Sequence, residues 1–172
     1  MPSDPIPSDP GAVPASSAKR FERTYPIRFA HCDAAGIVFY PHYFVILNDH
    51  VEDWFGEALQ HDFLAWHRDL GLGVPTVRIE CDFLAPSRIG ERLRFWLEIE
   101  RLGRSSVTLV RGAECGGEQR LRVRQSLVCI ELASGRSRPW PEAVRERMAA
   151  FVVPPAPARP IANHATDRPE AP

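Results

Sequence analysis

Phe29-Ala30-His31-Cys32-Asp33-Ala34-Ala35-Gly36-Ile37-Val38-Phe39-Tyr40-Pro41-His42-Tyr43 is the stretch that decides how this chain is read. A strand-like alternation runs into it and a strongly amphipathic pattern runs out. Between them sits one carboxylate, Asp33, in a loop of small residues. Pro41 marks the start of a helix, because the N–H that proline lacks would have no intrahelical partner in the first turn. The segment therefore sets a lone acid a few residues ahead of a helix N-terminus.

Upstream, Tyr25, Ile27 and Phe29 alternate with Thr24, Pro26 and Arg28, which predicts a first strand over Phe21 to Phe29. Pro26 within it points to an edge position or a bulge. Downstream, Phe44, Leu47, Val51, Trp54, Phe55 and Ala58 fall at helical spacing and form a broad apolar stripe. Asp49, Glu52, Asp53, Glu57 and Gln60 take the other side. Asn48 stands at the margin of the stripe, open between a pocket, a subunit contact and plain solvent.

Residues 61 to 72 read as a short helical or irregular connection ended by Gly71 and Gly73. Four strand-like runs follow: Val74 to Ala85, Glu91 to Leu102, Ser105 to Cys115 and Gln119 to Leu132. Turn signals separate them, and Gly116-Gly117 is the signature of a tight hairpin. Pro139 to Phe151 predicts a short C-terminal helix. One strand, one long helix and four more strands is an α+β order, in which an antiparallel sheet covers the apolar face of the helix.

The 172-residue chain suits one domain, and its 44% hydrophobic and 25% charged content is that of a soluble globular protein. Residues 1–18 and 154–172 are rich in Pro, Ser and Ala without periodicity, so two disordered tails are expected around a folded unit over 19–153. A net charge of -1 gives no electrostatic case for nucleic acid. No apolar run reaches the length of a transmembrane helix and no secretory signal is evident, so no membrane contact and a cytoplasmic location are expected. Cys32, Cys81, Cys115 and Cys129 form no CxxC pair, which predicts reduced thiols.

Asp33 has the chemistry for thioester hydrolysis, as a nucleophile or as a general base acting on water. Unpaired N–H groups at the helix start, Tyr40-Pro41-His42, suit an oxyanion. Gly36 lets the chain turn back so that acid and helix tip can approach. Taken alone, the residues leave Asp33 open between a catalytic carboxylate and a turn or cap residue. His31, Cys32, Asp33 and His42 are all possible zinc ligands, but three consecutive residues converge poorly on one ion and no second cluster completes the set, so no metal is expected. A Cys32/His42 nucleophile pair is the weaker alternative, and Cys32 reads better as a small buried residue. Phe39, Tyr40, His42 and Tyr43 offer walls for an aromatic or bulky acyl group, or ordinary core. No phosphate-cradling glycine loop is present, so nucleotide hydrolysis and dinucleotide redox chemistry have no support.

The run Asp33-x-x-Gly36-Ile37-Val38-x-Tyr40-Pro41-x-Tyr43, between a strand and a long helix, resembles the active-site segment of the hotdog-fold acyl-CoA thioesterases of the 4-hydroxybenzoyl-CoA thioesterase family. The resemblance covers residues 21 to about 133 and is sharpest over 29–43. It implies a five-stranded antiparallel sheet wrapped around one long central helix, with catalytic residues Asp33, the carboxylate, and Tyr40, whose backbone N–H polarises the thioester carbonyl. Gly36, Phe39, His42, Arg101 and Arg104 are the implied substrate-binding residues; Arg104 matches a basic run that contacts the nucleotide, while Ser105 stands where a lysine is expected. Coenzyme A belongs to the substrate, no cofactor is implied, and the oligomer is a homodimer or homotetramer with active sites between subunits. Tyr40-Pro41, where an aliphatic-acyl branch has Tyr-His, favours an aromatic acyl-CoA. Aliphatic acyl-CoA or acyl carrier protein substrates and a non-catalytic acyl-CoA-binding module are the alternatives. The Asp/His motif of a hydratase is not found.

Overall fold

The computed structural model describes residues 19–154, so both predicted tails, apart from Pro154, lie outside the described residues. The elements run β1 (Phe21–Pro26), α1 (Tyr40–Asp53), α2 (Phe63–Arg68), β2 (Leu72–Gly73), β3 (Thr76–Phe83), β4 (Arg92–Leu102), β5 (Ser106–Cys115), β6 (Glu118–Val128), β7 (Ile130–Glu131) and α3 (Glu142–Ala149). Five strands form one antiparallel sheet in the order β1-β4-β5-β6-β3, and β2 and β7 make a small separate ladder. Helix α1 lies on one face. Each strand of the sheet centre alternates as the sequence does: Leu93, Phe95, Leu97 and Ile99 of β4 are buried, while Arg94 and Glu100 face solvent.

Several boundaries differ from the sequence reading, each for a physical reason. The first strand stops at Pro26, and Phe29–His31 forms a single 3₁₀ turn that swings the chain toward the sheet end. Helix α1 runs on through a wider turn, Trp54–Ala58, where Leu59 N–H reaches back to Trp54 O. That wider turn seats both Trp54 and Phe55 in the core. The buried face of α1 is Tyr43, Ile46, Leu47, His50 and Val51, with Phe44 only half-buried. The last long strand breaks at Cys129 and resumes as β7 against β2. At Gly116 and Gly117 the φ values of 59° and 83° give the predicted hairpin turn.

The core is two apolar clusters with a polar layer between them. One cluster joins Ile46, Leu47, Phe95 and Val123 near the start of α1; the other joins Trp54, Phe55, Trp66, Trp140 and Met148 near its end. The layer is His50, Arg111 and Gln125, all buried. Arg111 donates to Gln125 Oε1 at 2.5 Å, to Leu47 O at 2.7 Å and to His50 Nδ1 at 3.1 Å, and Gln125 Nε2 donates on to Thr76 Oγ1 at 2.8 Å. Arginine only donates, so His50 Nδ1 holds its lone pair and the ring proton is on Nε2.

His50 is pushed down to about 2, first by burial and then by the Arg111 and Arg23 guanidinium groups. The unfolded chain takes up a proton below the ordinary value of 6.5, and the folded chain refuses it. Stability is therefore full above that value and falls as the pH drops below it, by about 2 kcal/mol between pH 7 and pH 5 from this group. Urea unfolding at the two pH values checks this: His50→Gln, which keeps an acceptor for Arg111 but cannot titrate, is expected to lose about 2 kcal/mol less than the wild type over the same interval.

Candidate active site

Residues 32–38 form a closed loop at one end of the sheet. Asp33 N–H donates to Ile37 O at 3.0 Å, Gly36 N–H to Asp33 O at 3.0 Å and Phe39 N–H to His31 O at 3.0 Å. Gly36 has φ 71°, a left-handed conformation that strains any side-chain-bearing residue. Val38 N–H donates to Ser87 O at 2.9 Å, which anchors the loop to the segment before β4. Asp33 itself is exposed, and its Oδ1 accepts the Ala35 N–H at 2.8 Å, the turn that a short acidic side chain makes with its own backbone. That bond fixes the direction of the carboxylate while leaving the second oxygen free.

Helix α1 starts immediately after the loop. Phe39 occupies the capping position without a side-chain cap. Pro41 has no N–H, and His42 N–H is spent on Phe39 O at 2.9 Å. Among the described residues the Tyr40 N–H has no acceptor, so the electropositive tip of α1 presents this donor. His42 Nδ1 lies 2.9 Å from His31 O and carries the ring proton there.

The predicted site residues fall into two groups. Asp33, Gly36, Phe39, Tyr40 and His42 all belong to this loop and helix tip, yet the acid and Tyr40 line different cavities. Asp33 and Gly36 border one of about 360 Å³ with Phe29, Cys32 and Ile89, and Tyr40 borders one of about 290 Å³ with Val38, Tyr43, Phe83 and Pro86. Phe29, 83% exposed, stands over the first. Arg101 and Arg104 are not brought to this end. They flank the β4–β5 turn, and β4 spans about 35 Å as an extended strand between that turn and the Asp33 loop. Arg104 instead lines a hollow with Trp140, Glu142 and Arg145. Of the other arginines of the last long strand, Arg120 and Arg124 are tied up with Glu91 at 2.9 Å and Glu100 at 2.7 Å.

A third cavity, of about 550 Å³, opens beside the middle of α1. Val51, Phe63, Val74, Leu127, Ile130 and Leu132 make its apolar wall, and Asn48, Glu52, His67 and Thr76 are its polar members. Sequence reasoning found Asn48 but missed Glu52 and His67. Glu52 follows Asn48 by one helical turn, which is a legible signal; His67 had none. Among the described residues no three His, Cys, Asp or Glu side chains gather as a metal site, all four cysteines are free thiols, and no helix is long and apolar enough to cross a membrane.

The profile of a family described as the thioesterase-like superfamily matches residues 27–148. A protein of Thermosynechococcus vestitus named 1,4-dihydroxy-2-naphthoyl-CoA hydrolase is 28% identical over 123 residues, which cover 71% of this chain and 82% of that protein. Among solved structures, a 1,4-dihydroxy-2-naphthoyl-CoA thioesterase from Synechocystis superposes with a TM-score of 0.70 at 20% identity, covering 76% of this chain and 96% of the other. A Staphylococcus aureus protein solved in complex with CoA superposes with a TM-score of 0.72 at 16% identity, covering 92% and 99%. At these identities the superpositions establish the fold, a hotdog sheet packed on its helix.

Proposed function

The chain belongs to the thioesterase-like superfamily, and we propose that it hydrolyses the thioester of an aromatic acyl-CoA of the hydroxybenzoyl kind to the free acid and coenzyme A. The observation that carries this reading is an exposed, directionally fixed carboxylate on the loop that leads into a helix tip with an unspent N–H. In the proposed reaction Asp33 attacks the thioester carbon or takes the proton of the water that does. The Tyr40 N–H holds the carbonyl oxygen as it becomes an oxyanion. The C–S bond breaks, and coenzyme A leaves as the thiol, taking the proton that Asp33 drew from water or, on the nucleophilic route, one from solvent. On that second route a water then splits the Asp33 acyl anhydride to the free acid and restores the carboxylate. No metal or redox cofactor takes part. The name of the Thermosynechococcus relative supports the aromatic class.

The acyl group is assigned to the 550 Å³ cavity, which has the mostly apolar wall and few polar members of a ligand site. On one chain Asn48 lies about 12 Å along α1 from Tyr40, and Arg101 and Arg104 are at the far sheet end. The working site is therefore proposed to lie between copies, in a cytoplasmic homodimer or homotetramer: the acid, Tyr40, Gly36, Phe39 and His42 from one, the acyl cavity and the phosphate-holding arginines from others. Strand β3 supports this, since among the described residues one of its edges has no neighbour, and Val77 and Phe83 are 61% and 49% exposed.

A panel of purified thioesters, read by release of the free thiol, tests the reading. Aroyl-CoA esters are expected to be turned over with a kcat/KM at least about tenfold above acetyl- and hexanoyl-CoA, as fits an apolar cavity with room for a ring. Equal or better turnover of hexanoyl-CoA would move the substrate to the aliphatic class. Binding without thiol release would make the chain an acyl-CoA-binding module.

A further inference from the structure

Three polar side chains of the 550 Å³ cavity have hydrogen-bonding capacity that no described residue uses: the Asn48 amide, the Glu52 carboxylate and one ring nitrogen of His67. His67 is the most constrained of them. Its Nδ1 lies 2.6 Å from Phe63 O, and its ring sits edge-on to the Phe63 ring with centroids 4.6 Å apart. A carbonyl oxygen only accepts, so Nδ1 carries the proton and Nε2 keeps its lone pair. The helix backbone and the Phe63 ring thus fix tautomer and orientation together. The outcome is an immobile acceptor in a mostly apolar wall. Glu52 adds a second acceptor, and the Thr76 hydroxyl, which accepts from Gln125 Nε2 at 2.8 Å, keeps its own proton to donate.

An unsubstituted ring in this cavity would take water from these acceptors and return nothing, whereas a ring bearing a hydroxyl would satisfy them. We infer that His67 is a specificity-determining residue, its Nε2 accepting a hydrogen bond from a hydroxyl on the ring of the acyl group. The inference rests on the reading that this cavity takes the acyl group of the thioester.

The test compares benzoyl-CoA with the three monohydroxybenzoyl-CoA isomers. In the wild type at least one hydroxylated isomer is expected to exceed benzoyl-CoA in kcat/KM by roughly tenfold, the worth of one hydrogen bond to a half-buried acceptor. His67→Phe, which keeps the ring shape against Phe63, is expected to lower the hydroxylated substrate more than benzoyl-CoA, bringing the ratio between them near one. His67→Gln, whose amide oxygen also accepts, is expected to regain part of the preference. Equal turnover of all four esters by the wild type overturns the inference, and so does an equal loss on every ester in His67→Phe, which is how a packing defect behaves. Asp33→Asn assayed in parallel keeps the two failures apart. Near-wild-type turnover in that variant removes the role given to Asp33, and no thiol release by the wild type removes the hydrolase reading, whereas Asp33-dependent turnover with an unaltered ester preference removes only the part given to His67.

Discussion

Asp33→Asn is expected to bind acyl-CoA with a Kd within about threefold of the wild type and to hydrolyse it about 10³-fold more slowly. The asparagine oxygen can still accept the Ala35 N–H, so the loop that closes through Ile37, Gly36 and Phe39 should keep its shape. What disappears is the negative charge, and with it both the nucleophile and the base. The Tyr40 N–H remains, which is why binding survives and a residual rate persists. Single-turnover hydrolysis and equilibrium titration of a non-hydrolysable thioether analogue separate the two effects. A variant that turns over at close to the wild-type rate would leave the proposed chemistry without its reacting group.

The second large effect concerns stability. Arg111 is completely buried with no carboxylate paired to it among the described residues, and burial pushes its guanidinium down to about 9. Arg111→Ala is expected to cost about 3–5 kcal/mol, because it strands His50 Nδ1 and Gln125 Oε1 and opens a void between the two apolar clusters. Arg111→Met fills the same space without a charge. Both variants lose the buried cation and its hydrogen bonds and differ in the void, so the methionine variant is expected to lie at least about 2 kcal/mol above the alanine one. Urea midpoints of the two variants, compared at pH 7.5, decide the matter. Equal destabilisation would mean that the lost hydrogen bonds, rather than the void, set the whole cost.

The strands and the long helix were legible because their burial follows from local alternation. Leu93 to Ile99 show the period of two without help from the rest of the chain, and Gly116-Gly117 announces its own turn. Phe44 and Tyr43 show where that logic ends. Both fit a helical stripe, and only the roll of α1 against the sheet, held in part by Arg111 on the Leu47 carbonyl, selects Tyr43, Ile46 and His50 for burial. Arg111 occupies an inward position of β5 by simple alternation with Val107, Leu109 and Ala113, but a charge there reads as an outward residue until its acceptors are known. The acid and the helix tip could be found because they are ten residues apart at most. The cavity could not, since its wall is gathered from α1, α2 and both ends of the strand pairs. Arg101 and Arg104 show the converse limit: a sound reason for a residue type does not say at which end of a sheet it stands.

The chain ends of the folded unit meet. Lys19 N–H donates to Ala150 O at 2.9 Å, and Val153 N–H donates to Ile99 O at 2.9 Å, at the part of β4 remote from Arg92 and the Asp33 loop. The two ends of the described unit, Lys19 and Pro154, therefore stand on the side away from Asp33. A shortened chain that begins at Lys19 and stops at Pro154 should accept a bead tether at either end without covering the Asp33 loop, and a short peptide joining those two residues should suffice to cyclise it.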